Sequence, residues 1–120
     1  MTRTAIAAVL LLLTGCAMLP LDNEAPDVPE LQSDGVRHVN FGVPVTVICT
    51  DPDGDRVAVR FRAVNGPAQL EFAWSTYLAS GDTTVFYLDL PLGPWRLEAW
   101  ARDELDETGA RGSLELTVTN

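Results

Sequence analysis

Two stretches of this chain carry side chains whose types and spacing could do chemistry. Asp51-Pro52-Asp53-Gly54-Asp55 sets carboxylates at alternate positions of a short loop. Calcium takes about six to eight oxygen ligands in adaptable geometry, and closely spaced loop aspartates suit it. The same residues are also turn formers, because Pro fixes φ, Gly permits positive φ and Asp side chains bond their own backbone. The later Glu of an EF-hand loop is missing, so the spacing alone names no site. The second stretch pairs Trp100 with Arg60, Arg62 and Arg96. An exposed indole flanked by guanidiniums stacks on a sugar ring or on a partner's side chain. The alternative is an intramolecular arginine–tryptophan ladder that covers a sheet.

Catalytic chemistry is poorly supplied. His38 is the only histidine, and Ser75, Ser80 and Ser113 sit in no nucleophile elbow or phosphate loop. Zinc is disfavoured with one histidine and one core cysteine, Cys49. Paired carboxylates could act as acid and base, but a small sandwich offers no deep cleft. The chain is therefore read as a non-enzyme.

The elements that must position these residues are strands. Val45, Val47 and Cys49 alternate with Thr46, Ile48 and Thr50; Val57, Val59 and Phe61 alternate with Ala58, Arg60 and Arg62. A period of two sends one set to a buried face and the other outside. With the acidic turn between them, residues 43–63 read as a hairpin. Val36 to Phe41 reads as a short strand, and residues 68–79 favour strand over helix on aromatic content. Phe86, Leu88 and Leu90 share one side of the next strand. Trp95, Leu97, Ala99 and Ala101 face inward on the following one, and Leu114, Leu116 and Val118 on the last. Trp74 and Trp95 are assigned to the core. About seven short strands at 8–12-residue spacing, with no convincing helix, predict an all-β immunoglobulin-like sandwich.

The N-terminus has a different character. Arg3 precedes the apolar run Ala5 to Leu13, too short to span a bilayer and laid out as a secretory signal. Leu13-Thr14-Gly15-Cys16 resembles the bacterial lipobox at every position. The resemblance implies cleavage before Cys16, lipidation of its thiol and usually acylation of the new N-terminus, several chains together anchoring stably. Ala17, rather than Asp, follows the cysteine, which implies the outer membrane over the inner. Residues 1–15 are thus assigned to a removed signal, 16–35 to a lipidated, acidic, proline-containing tether, and 36–120 to the domain. Val28 to Leu31 is a candidate first edge strand.

All 17 acidic residues lie beyond Cys16 against seven arginines, so the processed chain carries 7 − 17 = −10, with no lysine. No basic patch exists to displace counterions, which argues against a nucleic-acid partner. With Cys16 lipidated, Cys49 has no disulfide partner, and its parity with Val45 and Val47 points it into the core as a small hydrophobe.

Phe41-Gly42-Val43-Pro44-Val45-Thr46-Val47 through Asp51-Pro52-Asp53-Gly54-Asp55 resembles the B–C region of PKD, cadherin-like and related immunoglobulin-like domains of bacterial surface proteins. Leu90 to Asp103 resembles their E–F corner and strand F, with Trp95 and Asp103 at the opening aromatic and closing Asp positions. The likeness spans residues 28–120, in one copy and without the WDFGDG segment of PKD domains. It implies adhesion, spacing or partner binding rather than catalysis. In such a sandwich the B–C, D–E and F–G loops meet at one pole. That pole would gather Asp51, Asp53, Asp55, Asp82, Asp103, Glu104, Asp106 and Glu107. Asp51, Asp53, Asp55 and Asp103 are the expected calcium ligands, with solvated turn acids as the alternative. The functional expectation is a membrane-anchored, non-catalytic envelope lipoprotein with a protein or glycan partner. Its rivals are an accessory lipoprotein of a secretion or assembly complex and a carbohydrate-binding module using Trp100.

Overall fold

Alternating apolar residues fold this chain into strands whose inner faces meet in one core. The computed structural model describes residues 23–120; the signal segment, Cys16 and the start of the tether lie outside the described residues. The strands are β1 (Glu30–Gln32), β2 (Val43–Ile48), β3 (Val57–Asn65), β4 (Ala68–Glu71), β5 (Thr83–Leu88), β6 (Gly93–Asp103) and β7 (Gly112–Val118). One sheet has the order β1-β2-β5 and the other β4-β3-β6-β7, with neighbouring strands antiparallel throughout. The fold is the expected all-β sandwich.

The inward sets match the alternation. Val43, Val45 and Val47 of β2 face Val57, Val59, Phe61 and Ala63 of β3 and Trp95, Leu97, Ala99 and Ala101 of β6, all buried. A fully buried valine or leucine contributes roughly 1.5–3 kcal/mol before conformational entropy is subtracted. Phe61 and Phe86 meet edge to face across the two sheets, with ring centroids 5.3 Å apart. Gly42, at φ 95°, sits where a Cβ would lie 2.5 Å from the Leu88 carbonyl, so only glycine admits the chain to β2.

Several expectations are corrected. Residues 43–63 are not a hairpin: β2 and β3 belong to different sheets, and residues 49–56 cross between them. Alternation fixes which face is buried but not which strand is the partner, and both arms satisfy it by facing each other across the core. Val36 to Phe41 forms no strand. It makes isolated bridges, Val36 with Thr119 and His38 with Gly42, and turns through Asn40 at φ 72°. In residues 68–79 only β4 is regular. Beyond it the chain follows β3 irregularly, with Ser75 N donating to Val59 O at 2.8 Å and Leu78 N to Val57 O at 2.7 Å. That irregularity breaks the inward parity of Leu70 and Phe72, and Trp74 lands on the outer face instead of in the core.

The stretch assigned to the tether joins the domain before residue 36. β1 pairs with β2 in the register Leu31↔Val47, and Asp27 N donates to Thr50 O at 2.8 Å. Gly109 and Gly112 leave room for the backbone carbonyls of Pro26 and Pro29. Proline-rich backbone is thereby accommodated along β7 without a ladder of its own.

Candidate functional site

Loops from both sheets and the incoming N-terminal segment converge at one pole. Residues 49–56 carry the three aspartates of the first stretch. The turn after Ala79 clamps them, with Asp51 N donating to Ser80 Oγ at 2.8 Å and Gly81 N to Cys49 O at 2.8 Å. Asp51 is 3% exposed, and its Oδ1 accepts from Asp53 N at 2.8 Å and Asp55 N at 3.4 Å. This is the Asx turn that aspartate before proline favours. Asp53 Oδ2 accepts from Glu24 N at 2.8 Å. Asp51 Oδ2 and Asp55 Oδ2 are buried without a hydrogen-bond partner among the described residues. One carboxylate oxygen of each of Asp51, Asp53 and Asp55 lies within 4.8 Å of the others. Desolvation, then the charges of Asp51, Asp103, Asp53 and Glu104, push the Asp55 carboxyl above its ordinary pKa.

The fourth expected ligand has other work. Asp103 is fully buried; its Oδ1 accepts from Leu105 N and Glu107 N, each at 2.9 Å, and its Oδ2 from Asn23 Nδ2 at 2.9 Å. It holds the β6–β7 loop and the N-terminal segment together. Glu104 is taken by Arg56, whose Nη2 lies 2.6 Å from Oε2, and that hydrogen bond holds the Glu104 carboxyl below its usual range. The pole is as acidic as the resemblance implies, yet among the described residues only the first three aspartates form a compact group.

On the outer face of the four-stranded sheet, β3 and β6 pair Arg60 with Trp100 and Arg62 with Glu98. Arg60 and Arg62 lie over the Trp100 ring, 5.3 and 5.1 Å from its centroid. Arg60 also approaches Trp74 at 5.7 Å, and Arg102 lies over Trp74 at 4.3 Å. Trp100 is half-buried beneath these cations. The expected binding surface is thus the arginine–tryptophan ladder, with its π faces already engaged inside the chain. Beside it Glu98, 1% exposed, receives Arg62 at 2.8 Å, Arg111 at 3.0 Å and Arg96 at 3.3 Å. Burial pushes the Glu98 pKa up, but hydrogen bonds from Arg62 and Arg96 and the charges of Arg62 and Arg111 outweigh it, so the carboxyl stays below its ordinary value.

Sequence reasoning missed a third surface. Phe41 and Tyr87 are 68% and 55% exposed, with ring centroids 6.0 Å apart, and Val39 and Val85 are exposed as well. Val85 and Tyr87 are the outward residues of β5, out of phase with Phe86 and Leu88. That phase was the available signal. Pro44 pairs with Tyr87 and Ile48 with Thr83, so this patch and the acidic loops flank opposite ends of β2.

Cys49 sits in the core as its parity requires, and burial pushes its thiol up to about 11. His38 serves only the turn at Gly42 through its backbone among the hydrogen bonds described.

No family model matches the chain, and no curated protein matches it either. Solved structures do. The PKD domain of an M14-like peptidase from a Thermoplasmatales archaeon superposes with a TM-score of 0.65 at 25% identity, covering 82% of this chain and 99% of that one. The fibronectin(III)-like modules of Clostridium thermocellum CbhA superpose with a TM-score of 0.53 at 16% identity, over 92% of this chain and 50% of that one. Both likenesses agree with an immunoglobulin-like sandwich.

Proposed function

We propose that this protein is an envelope lipoprotein, lipidated at Cys16, that displays a single non-catalytic immunoglobulin-like module from the outer membrane to engage another envelope protein. Supporting the anchor is the match of residues 13–16 to the lipobox behind a short apolar run. Supporting the module is the likeness to PKD and fibronectin(III)-like domains.

The observation that carries the partner reading is the opposition of two ends. The N-terminal segment reaches the domain at the acidic pole, through Asn23 on Asp103 and Glu24 on Asp53. The exposed Phe41–Tyr87 pair lies towards the other end of β2. A six-residue strand spans roughly 20 Å, so the uncovered aromatic face is held away from the anchor. Aromatic residues of this kind supply contact area at protein interfaces. A sugar-binding role for Trp100 is less favoured, because Arg60 and Arg62 occupy its ring.

The test is one fractionation with a photocrosslinking residue at position 87 in intact cells. The wild-type chain should stay with membranes and give a discrete protein adduct from position 87 but not from Glu115 on the opposite sheet. Cys16→Ser should leave the domain folded and release it from the membrane fraction. Membrane retention of that variant removes the anchor reading. Equal or absent adducts from both positions remove the partner reading.

A further inference from the structure

The oxygens of the acidic loop are not all explained by its turn. Asp51 Oδ1 caps Asp53 N and Asp55 N, and Asp53 Oδ2 holds Glu24 N. Asp51 Oδ2 remains, buried and without a donor, on a side chain that is 3% exposed. Asp55 Oδ2 is likewise shielded and without a donor, although the Asp55 side chain as a whole is only partly buried. A turn needs the first oxygen of Asp51 and not the second, and like charges gathered without a cation repel. Buried acceptors in folded proteins ordinarily find a partner, and those that do not point to a missing one.

We propose that Asp51, Asp53 and Asp55 bind one calcium ion at the junction between the N-terminal segment and the sandwich. Two oxygens held about 2.4 Å from a common calcium are at most about 4.8 Å apart, and one oxygen from each of these carboxylates meets that limit. Magnesium demands near-ideal octahedral geometry and gives up its waters reluctantly, so a flexible loop of carboxylates suits calcium better. The three side chains offer only hard oxygen donors, which excludes the softer thiolate-seeking metals. Calcium also completes the coordination sphere with carbonyl oxygens and water.

The ion would act on the junction because Asp53 already holds the backbone of Glu24. Fixing Asp53 fixes where the N-terminal segment meets the domain, and so how the sandwich is oriented on whatever precedes it. This inference does not depend on lipidation of Cys16, and its test is read on the metal alone.

The experiment is a thermal melt of the full chain in detergent, with calcium, with magnesium and with chelator. At about a hundredfold excess over its dissociation constant, calcium should raise Tm by about 10 °C or more. Magnesium at equal concentration should do much less. Asp55→Asn should melt in chelator no lower than the wild type and lose the calcium shift. Asp53→Asn, on the exposed side of the loop, should lose it too, which covers the case in which the Asp55 variant folds poorly. No calcium shift in the wild type, an equal shift with magnesium, or a shift that survives both substitutions would overturn the site.

Discussion

The outer face of the four-stranded sheet and the acidic pole answer opposite charge problems in opposite ways. On the sheet one carboxylate serves several cations: Glu98, buried, is shared by Arg62, Arg96 and Arg111. At the pole several carboxylates share too few cations. Arg56 is spent on Glu104, and Asp51 and Asp55 each keep a buried oxygen without a donor. Both regions crowd like charge on neighbouring backbone. The first is neutralised from within and has its aromatic faces covered. The second keeps two carboxylate oxygens without a donor among the described residues. The atoms left unmet differ in kind: on the sheet they are Arg60 Nε and Arg102 Nε, on guanidiniums that lie over an indole ring, whereas at the pole they are carboxylate oxygens with no cation beside them.

The strongest way to break this contrast is Glu98→Ala. It removes the acceptor of three guanidiniums and leaves them crowded on one face. Breaking such a pair should cost about 3 kcal/mol, seen as a fall in Tm of roughly 15 °C. A loss below about 1 kcal/mol would mean that water serves the arginines as well as Glu98 does. Next in size is Asp103→Ala, which deletes the acceptor of Leu105 N, Glu107 N and Asn23 Nδ2. About 2 kcal/mol should be lost by denaturant melt, and hydrogen exchange should quicken in residues 104–107 and at the N-terminal segment. An unchanged melt would mean that these three hydrogen bonds do not hold the loop.

The smallest effect is the acid response, and its sign differs between the regions. The Glu98 carboxyl is held below its ordinary value of 4.5. Its contribution is fully present above that pH and is lost as pH falls through the lower folded value. The Asp55 carboxyl is raised above 3.8, so the folded state prefers it protonated. Its charge therefore opposes folding at neutral pH, and that opposition is relieved as pH falls through the raised value. Stability measured against pH should consequently fall less steeply on the acid side for Glu98→Gln than for the wild type. For Asp55→Asn in chelator it should fall more steeply, because the relieving group is gone. Parallel curves for all three proteins would erase the distinction.

Much of the core could be read from the chain because alternation is local. Val45, Val47, Val57, Val59, Phe61, Leu97 and Ala99 are inward wherever their strands pair, since a strand has only two faces. The gathering of Asp51, Asp55, Asp103 and Glu104 was also legible, through the loop order that the immunoglobulin-like resemblance implies. What failed was local reading of non-local facts. An acidic turn between two alternating runs describes a hairpin and an inter-sheet crossing equally well. Trp74 follows the parity of Leu70 and Phe72 until an irregular backbone cancels it, and Glu98 looks like any outward acid until three arginines close over it.

The sequence by itself determined that this is an all-β chain with an acidic loop, one core cysteine and an N-terminus that resembles a lipoprotein signal. Those properties follow from residue type and near-neighbour spacing, which act within a few residues. Only the tertiary structure decided which strands pair, that residues 23–27 lie against the acidic pole, that Trp100 is half-buried beneath arginines, and that Asp51 and Asp55 keep oxygens without partners among the described residues. Each of these depends on which distant backbone arrives alongside, as Asn23 reaches Asp103 and Arg111 reaches Glu98. Closing contacts of that range is the work of the whole core, and no local pattern records it.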